Sequence, residues 1–430
     1  MLSIKNKTVT IIGAQKSGIA LCSLIQSQGG VPKISEQKDK DKLPSNVFEW
    51  LDGKMGIEAQ FGAHTEEFIA KSDLVVLSPG VPYNSLTVDW AKGKNITVLG
   101  EIEFAFQFCK KPVIAITGSN GKTTTSTLTH NLLEKAGYKS CLCGNIGAPF
   151  SEQIDKINKS DYAVIEVSSF QMESLLGEDK KANFAPFKPH IAAILNFNQN
   201  HLDRHKDMDE YFQAKARIFE NQDENDYAIL NYANSRLMEL SLSLKAKTIF
   251  FNDGEDNQLS ENQNHLAVFA IARALKIDAK ICREVFAEFK GVEHRLEWVR
   301  NINGVDYVND SKCTTAEAGE WAMKTIKNPI VMICGGYDKH VDFSHLKPLA
   351  AKKVKEMIVI GATKDQLKNT FIDTIKVREG ASFEEAVNMA KDIASRGDCV
   401  LLSPMCASWD MFNNFEERGK LFKQIVGGFK

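Results

Sequence analysis

The stretch VIAITGSNGKTTTSTLTHNLLEKAG, residues 113–137, decides the fold of this 430-residue chain. A short apolar run predicts a buried strand, and a glycine-rich turn follows it. The next residues have helical apolar spacing and end at Gly137, a C-terminal glycine cap. Where such a turn joins a strand to a helix, backbone N–H groups at the helix N-terminus can hold phosphate oxygens. The stretch therefore predicts a nucleotide-binding α/β domain.

Each residue type in this loop has a chemical task. Lys122 can reach the β and γ phosphates of ATP, and the hydroxyl of Thr123 can ligate Mg²⁺. The residues that we expect to bind ATP here are Gly118, Ser119, Asn120, Gly121, Lys122, Thr123 and Thr124. The strict phosphate-loop pattern needs glycine at position 116, where Ile116 stands, so a chance match is an alternative at this point.

Strand-like apolar runs alternate with helix-length segments along the whole chain, which predicts parallel sheets with helices on both faces. Glycine turns at Gly13 and Gly118, and a third sheet beginning near Val305, predict an α/β protein of three domains. We expect a Rossmann-like N-terminal domain, a P-loop NTPase-like central domain and a Rossmann-like C-terminal domain. Their predicted limits are 1–100, 101–291 and 292–430.

Composition limits the classes of partner. The 53 basic and 55 acidic residues leave a net charge of -2, and no long Lys/Arg run is present, so we expect no nucleic acid and no membrane partner. The first apolar stretch is too short to span a membrane. Nine cysteines include one close pair, Cys141 and Cys143, and no CxxC motif, which favours reduced structural thiols. We expect a cytoplasmic protein that binds small molecules.

The first glycine turn, GAQKSG at residues 13–18, keeps the outer glycines of a dinucleotide fingerprint. Gln15 stands where the middle glycine would let a pyrophosphate approach, which disfavours NAD. Glu36 ends the second predicted strand, where a carboxylate can meet a sugar or a base. One interpretation of this turn is therefore a site for a nucleotide-like ligand, and the other is a tight strand-to-helix turn without a ligand.

A carboxylate ends the predicted strand in DYAVIEVSSF. Glu166 lies there, at the position where an acidic side chain can help to hold the magnesium of a nucleotide. A buried carboxylate without a partner is costly, so a structural glutamate in a salt bridge is the alternative.

A lysine stands within the apolar stripe of the predicted helix MDEYFQAKARIFE. Lys215 follows Tyr211 by four positions and precedes Phe219 by four, so helical geometry puts it among apolar side chains. An ammonium group there needs a partner or a chemical modification. The alternative is a lysine that extends past the stripe to water.

Eight segments, taken together and in this order, resemble the Mur ligases of peptidoglycan synthesis. They are TGSNGKTTT, EVSSFQ, NHLDRH, AKARIFE, EHR, NDSKCTT, GGYDK and SPMCASWDMFNNFEERG. The resemblance covers nearly the whole chain. The last segment is most similar to the members that join D-glutamate to UDP-N-acetylmuramoyl-L-alanine. Folylpolyglutamate synthases share the loop and the helix lysine, but not GNIG at 144–147 with EVSSFQ and the last segment.

The resemblance implies ADP-forming amide synthesis, in which ATP phosphorylates a carboxylate and the D-glutamate amine then attacks the acyl phosphate. By the family pattern the catalytic residues are Lys122, Glu166, His201 and Lys215. Two Mg²⁺ ions are implied, with metal ligands Thr123, Glu166, His201 and Lys215, the lysine as a carbamate formed with CO₂. Carbamylation would turn a misplaced cation into an anion beside the metal.

The family pattern also assigns the remaining ligands. Further ATP contacts are implied for Asn264, Arg295, Asp310 and Lys312. The UDP-substrate would lie near Gln15, Glu36, Gly80 and Asn145. D-Glutamate would be held by Thr314, Lys339, Ser408 and Phe415. Ser260 and Glu261 stand where the family usually has His-Asn, so no adenine contact is implied there.

Two alternatives remain beside a monomeric D-glutamate ligase. One is a nucleotide-binding switch that uses the same loop, although a switch needs neither the helix lysine nor a third domain. The other is a related ligase that adds a different amino acid or extends folate.

Overall fold

A computed structural model describes residues 2–43, 47, 50, 57–175, 184–198, 204–254, 260–338 and 341–429. Two compact units are present, Met1–Phe289 with two sheets and Lys290–Lys430 with one. The predicted α/β class is confirmed, whereas the exact limits of the three predicted domains stay a proposal. In the described part of the chain, no helix is long and apolar enough to cross a membrane.

The first sheet is parallel and carries helices on both faces. Its strands are β1 (Thr8–Ile12), β2 (Val31–Ser35), β3 (Glu58–Gln60), β4 (Leu74–Leu77) and β5 (Thr97–Gly100). The helices that accompany or follow them are α1 (Lys16–Ser27), α2 (Glu66–Ala70), α3 (Leu86–Gly93) and α4 (Glu101–Phe106). The spatial order β3-β2-β1-β4-β5 is that of a doubly wound, Rossmann-like sheet. Ile11 and Ile12 enter two different core clusters, so β1 is packed on both of its faces.

The second sheet is also parallel, and it places the phosphate loop. Its strands are β6 (Val113–Thr117), β7 (Ser140–Gly144), β8 (Tyr162–Glu166), β9 (Ile191–Ile194), β10 (Tyr227–Asn231) and β11 (Lys247–Phe251). Its helices are α5 (Lys122–Lys135), α6 (Ile154–Ile157), α7 (Ser169–Glu173), α8 (Met208–Ala216), α9 (Ser235–Ser241), α10 (Gln263–Leu275) and α11 (Ala279–Glu288). In the order β11-β10-β9-β6-β8-β7, the loop after β6 is flanked by the carboxyl ends of β8 and β9, where α/β sheets bind ligands.

The third sheet is mixed. Its strands are β12 (Glu297–Ile302), β13 (Val305–Asn309), β14 (Ile330–Gly335), β15 (Val354–Ile360), β16 (Lys376–Glu379) and β17 (Cys399–Leu402). Its helices are α12 (Ala316–Thr325), α13 (Lys347–Lys353), α14 (Lys364–Phe371), α15 (Phe383–Ile393) and α16 (Phe415–Gly427). The order is β12-β13-β17-β14-β15-β16, and β12 alone runs antiparallel to its neighbour.

The sequence patterns predict the buried strands and miss several edge strands. β3, β11 and β16 lie at sheet edges, and their side chains are mostly exposed or half-buried. β3 and β16 are mostly polar, so no apolar run marks them. β11 does end in three apolar residues, which were not recognised as a strand.

Candidate active site

The loop between β6 and α5 has a backbone that only glycine adopts without strain. Gly121, the residue before α5, has a φ of +82°. A Cβ atom added to Gly121 would lie 2.3 Å from Oδ1 of Asn264. The loop therefore ends at the positive end of α5, where phosphate oxygens bind, and Asn264 lies beside it.

Lys122 is folded back over its own loop. Its Nζ atom donates hydrogen bonds to the carbonyl oxygens of Gly118, at 2.8 Å, and Ser119, at 3.1 Å. An ammonium group held at the loop in this way can exchange carbonyl oxygens for phosphate oxygens without a large movement. This geometry suits the phosphate-binding role expected from the sequence.

The segment after β9 braces the phosphate loop, a feature that the sequence reasoning missed. The backbone N–H of Asn120 donates to Oδ1 of Asn196 at 2.8 Å, and Nδ2 of Asn196 donates back to the carbonyl of Asn120 at 3.1 Å. The backbone N–H of Asn198 donates to Oγ of Ser119 at 2.9 Å. The sequence shows only that these asparagines follow a predicted strand, and the fold makes that strand a neighbour of β6.

Lys215 lies against the phosphate loop and is only 1% exposed, so the alternative of a lysine extending to water is wrong. Its Nζ atom lies 3.2 Å from the carbonyl oxygen of Gly118, 3.4 Å from Oγ1 of Thr117 and 4.6 Å from the ring centre of Tyr211. Burial lowers the pKa of the Lys215 amine well below its usual range, and the charge of Lys122 lowers it further. The site therefore favours an uncharged, nucleophilic amine.

Glu166 is the last residue of β8 and pairs in register with Ile116 of β6, directly before the loop. It is 1% exposed, and its Oε1 atom accepts a hydrogen bond of 2.6 Å from Nδ2 of Asn145. Its Oε2 atom is buried without a hydrogen-bond partner in the described structure. The described residues supply no salt bridge to it, so the structural salt-bridge alternative finds no support there.

A buried carboxylate oxygen without a partner is costly, and a bound cation would remove that cost. Mg²⁺ accepts oxygen ligands and is commonly held by one or two carboxylates together with phosphates and water. Glu166 therefore fits a magnesium ion at this edge of the sheet. Among the described residues no group of three or more His, Cys, Asp or Glu side chains surrounds a possible ion. His201, the other predicted ligand, lies outside the described residues.

A cavity of about 800 Å³ brings together all four residues predicted to bind the UDP-substrate. Gln15, Glu36, Gly80 and Asn145 line it, although they lie up to 130 positions apart in the sequence. The carboxylate of Glu36 accepts backbone N–H groups from Ala14, at 2.7 Å, and from Lys38, at 3.0 Å. Glu36 therefore shapes the wall of this cavity.

In the second unit, the predicted ligand residues follow the carboxyl ends of neighbouring parallel strands. Asp310, Lys312 and Thr314 come after β13, Ser408 comes after β17, and Phe415 begins α16. Nζ of Lys312 lies 5.8 Å from the ring centre of Phe415. The topology thus gathers these side chains at one sheet edge, the usual place for a ligand.

A backbone hydrogen bond and the burial of two side chains describe the same sheet edge further. The backbone N–H of Tyr337, after β14, donates to the carbonyl of Ala407 at 2.9 Å, which joins two of the loops. Ser408 is 2% exposed and Thr314 is half-buried. Lys339, the predicted partner of the D-glutamate carboxylates, lies outside the described residues.

Asp310 is held inside its own domain. Its Oδ1 atom accepts the backbone N–H of Leu296 at 3.1 Å, and its Oδ2 atom accepts Oγ–H of Ser403 at 3.0 Å. Burial raises the pKa of Asp310 to about 7, against the opposing effect of these hydrogen bonds and of the nearby charge of Arg295. These contacts position the backbone at Arg295, and the predicted ATP contacts of both residues stay predictions.

The buried carboxyl of Asp310 predicts a pH-dependent stability. The folded chain keeps this proton up to about pH 7, whereas the unfolded chain loses it near pH 4. The free energy of unfolding is therefore expected to fall as pH rises between these values. Asp310→Asn should flatten this dependence in urea titrations of the full chain at pH 5 and pH 8. Asp392→Asn, at an exposed carboxyl, serves as the control, and an unchanged slope in Asp310→Asn would contradict the prediction.

Arg418 in α16 is a fully buried cation that the sequence reasoning did not single out. Its Nε atom donates to Oγ of Ser311 at 3.0 Å, and its Nη2 atom donates to the carbonyls of Ser311 and Cys406 at 2.9 and 3.1 Å. Arg418 thereby ties the loop after β13 to the loop after β17. The signal was available, because Phe415, Arg418 and Phe422 share a helical stripe, the same pattern that marked Lys215.

Three Mur ligase domain families match successive parts of the chain. They are the Mur ligase MurD-like N-terminal domain at residues 7–100, the Mur ligase middle domain at 116–282 and the Mur ligase glutamate ligase domain at 294–406. A UDP-N-acetylmuramoylalanine–D-glutamate ligase from a Thermoanaerobacter species is 38% identical over 460 residues, covering 99% of each chain. The chain belongs to the Mur ligase family.

Solved Mur ligase structures share the fold at lower identity. The UDP-N-acetylmuramate-alanine ligase MurC of Thermotoga maritima has a TM-score of 0.60 and 16% identity, covering 99% of this chain and 100% of the other. The MurF ligase of Thermotoga maritima, in complex with ADP, has a TM-score of 0.56 and 15% identity, covering 99% and 96%. These matches establish the three-domain Mur ligase architecture predicted from the sequence.

Proposed function

We propose that this Mur ligase is an ADP-forming enzyme that joins D-glutamate to UDP-N-acetylmuramoyl-L-alanine, as the name of its 38% identical relative states for that protein. The observation that carries the proposal is the position of the buried Lys215 amine, 3.2 Å from the carbonyl of Gly118 in the phosphate loop. A nucleotide-binding switch has no use for a buried amine there. We also propose that the enzyme acts as a cytoplasmic monomer.

In the proposed reaction, a carboxylate oxygen of the L-alanyl group attacks the γ-phosphorus of ATP, and ADP leaves. The amine of D-glutamate then attacks the acyl carbon, loses a proton, and inorganic phosphate leaves as the amide forms. A carboxylate is a poor electrophile until phosphate makes its oxygen a leaving group. The reaction also brings two anions together, the substrate carboxylate and the phosphates of ATP, which requires cations and positioning.

The chain supplies this charge and positioning from the phosphate loop. Lys122 and the N-terminal end of α5 would hold the transferred phosphate, while Asn196 keeps the loop in shape through Asn120. Asn264, beside Gly121, would contact the same nucleotide. The other ATP contacts that belong to the proposal are Ser119, Thr123, Thr124, Arg295, Asp310 and Lys312.

The proposal includes magnesium and a lysine carbamate. Bound Mg²⁺ would neutralise charge on the phosphates during transfer. Thr123, Glu166, His201 and carbamylated Lys215 would hold the two ions, and the unpartnered Oε2 atom of Glu166 supports this assignment. The lowered pKa of Lys215 supports the carbamate, because a neutral amine adds to CO₂ and releases one proton.

Substrate recognition is proposed for two sets of residues. The UDP-substrate would bind in the cavity lined by Gln15, Glu36, Gly80 and Asn145. Asn145 connects this cavity to Glu166, because its Nδ2 atom donates the 2.6 Å hydrogen bond to the Glu166 carboxylate. D-Glutamate would bind to Thr314, Lys339, Ser408 and Phe415. These assignments rest on the family pattern and on the gathering of the described residues at one sheet edge.

The test is phosphate release by the full chain with ATP, Mg²⁺ and UDP-N-acetylmuramoyl-L-alanine, with and without D-glutamate. We expect sustained release only when D-glutamate is present, together with one amide product by mass spectrometry. L-Glutamate, L-lysine, meso-diaminopimelate and L-alanine are compared in the same assay. Preference for one of these, or equal release without an amino acid, would overturn the assignment.

A further inference from the structure

The cavity proposed for the UDP-substrate has a charge balance that one side chain decides. Among the described residues that line it, Lys16 is the single lysine or arginine, and Glu36 is the single carboxylate. The ring of His64 also faces the cavity, and burial lowers its pKa, so it adds no positive charge near neutral pH. The lining is therefore neutral with Lys16 and would be negative without it.

Lys16 already has a defined position in this cavity. It is the first residue of α1, and its Nζ atom donates a hydrogen bond of 2.6 Å to the carbonyl oxygen of Gly147. Gly147 belongs to the same turn as Asn145, which holds Glu166. The contact fixes the ammonium group between the first glycine turn and the GNIG turn of residues 144–147, two walls of one cavity.

An ammonium group has three N–H donors, and the contact with Gly147 uses one of them. The other two can reach an anion in the cavity without breaking that bond. The substrate of the proposed reaction carries a diphosphate between its nucleoside and its sugar. A diphosphate entering a cavity whose remaining fixed charge is the carboxylate of Glu36 would be repelled.

We propose that Lys16 is the cation that binds the diphosphate of the UDP-substrate, and that it positions this group against the GNIG turn. The assignment rests on the proposed function for the identity of the substrate. It makes Lys16 a specificity-determining residue, since a nucleoside without phosphate gains nothing from it. Within the described residues, the hydrogen bond of the Lys16 side chain goes to Gly147, which is not among the residues proposed to bind ATP.

Lys16→Gln removes the charge and keeps a polar side chain. We expect the dissociation constant for UDP to rise about tenfold by calorimetric titration, since a hydrogen bond to a charged group is lost. The constant for uridine, which lacks the diphosphate, should change less than twofold. The KM for the UDP-substrate should rise with little change in kcat, and Lys16→Arg should restore most of the affinity.

Lys7→Gln is the matched control. It removes one exposed charge from the same domain at the opposite end of β1, away from the cavity. A second role for Lys16, as a brace of the Gly147 turn alone, would weaken uridine and UDP equally. That result, or unchanged UDP binding in Lys16→Gln, overturns the proposal.

The outcome is separable from that of the proposed function. Selective loss of UDP affinity in a chain that makes no D-glutamate product would keep the role of Lys16 and remove the ligase assignment. If instead phosphate release depends on D-glutamate but UDP affinity is unchanged in Lys16→Gln, the ligase assignment stands and the role of Lys16 is removed.

Discussion

Lys215→Ala is expected to lower turnover by at least about 10²–10³-fold, the size of effect seen when one preorganised charged group is lost from an active site. The Lys215 side chain is 1% exposed and contacts the phosphate loop directly. In the proposed enzyme it carries a carbamate, so the substitution removes a metal-binding anion. Phosphate release under saturating substrates measures the effect.

Rescue separates this chemical role from a packing role. A short carboxylate such as formate can enter the space left by the side chain and supply an anion beside the phosphate loop. We expect partial recovery of turnover with formate in Lys215→Ala and none in the wild type. Lys206→Ala, which changes a lysine just ahead of α8, should keep full activity. Full activity of Lys215→Ala without formate would remove the carbamate from the proposal.

Glu166→Gln is expected to lower turnover by about 10²–10³-fold and to raise the Mg²⁺ concentration needed for half-maximal rate. Glutamine keeps an oxygen for the hydrogen bond from Asn145 but removes the negative charge. The unpartnered Oε2 atom costs stability in the metal-free chain, so the variant should unfold at the same or a higher temperature. Activity would then fall without any loss of stability.

The control for this variant is Glu152→Gln, at an exposed position in the same unit. Turnover, magnesium dependence and unfolding temperature should all stay near the wild-type values. An active Glu166→Gln with unchanged magnesium dependence would show that the carboxylate has no metal to hold. A lowered unfolding temperature would instead indicate a structural role for the charge.

Local patterns predicted the main parts of the phosphate site. Helical spacing put Lys215 within an apolar stripe, because residues four apart share one face of a helix, and the structure then showed that its side chain is buried. The end of an apolar run was enough to put Glu166 beside the loop, because parallel strands end at one sheet edge. Both depend on periodicities that operate within a few residues.

The UDP cavity needed more than local patterns. Its four predicted residues were carried over from the resemblance, and the structure lines one cavity with all of them. Spacing alone could not join Gln15 to Asn145, since their proximity depends on how the first sheet packs against the second within one unit. Local patterns also fail for the edge strands β3 and β16, because their mostly polar sequences contain no apolar run.

The sequence by itself determined the α/β class, the phosphate loop and the membership of a ligase family, and it placed a lysine on the apolar stripe of a helix. These follow from short-range periodicity and from motifs in a fixed order. Only the tertiary structure decided that Asn196 braces Asn120, that Arg418 joins two loops and that Lys16 reaches Gly147. Such contacts join residues that are distant along the chain, so they exist only once the helices and sheets have packed.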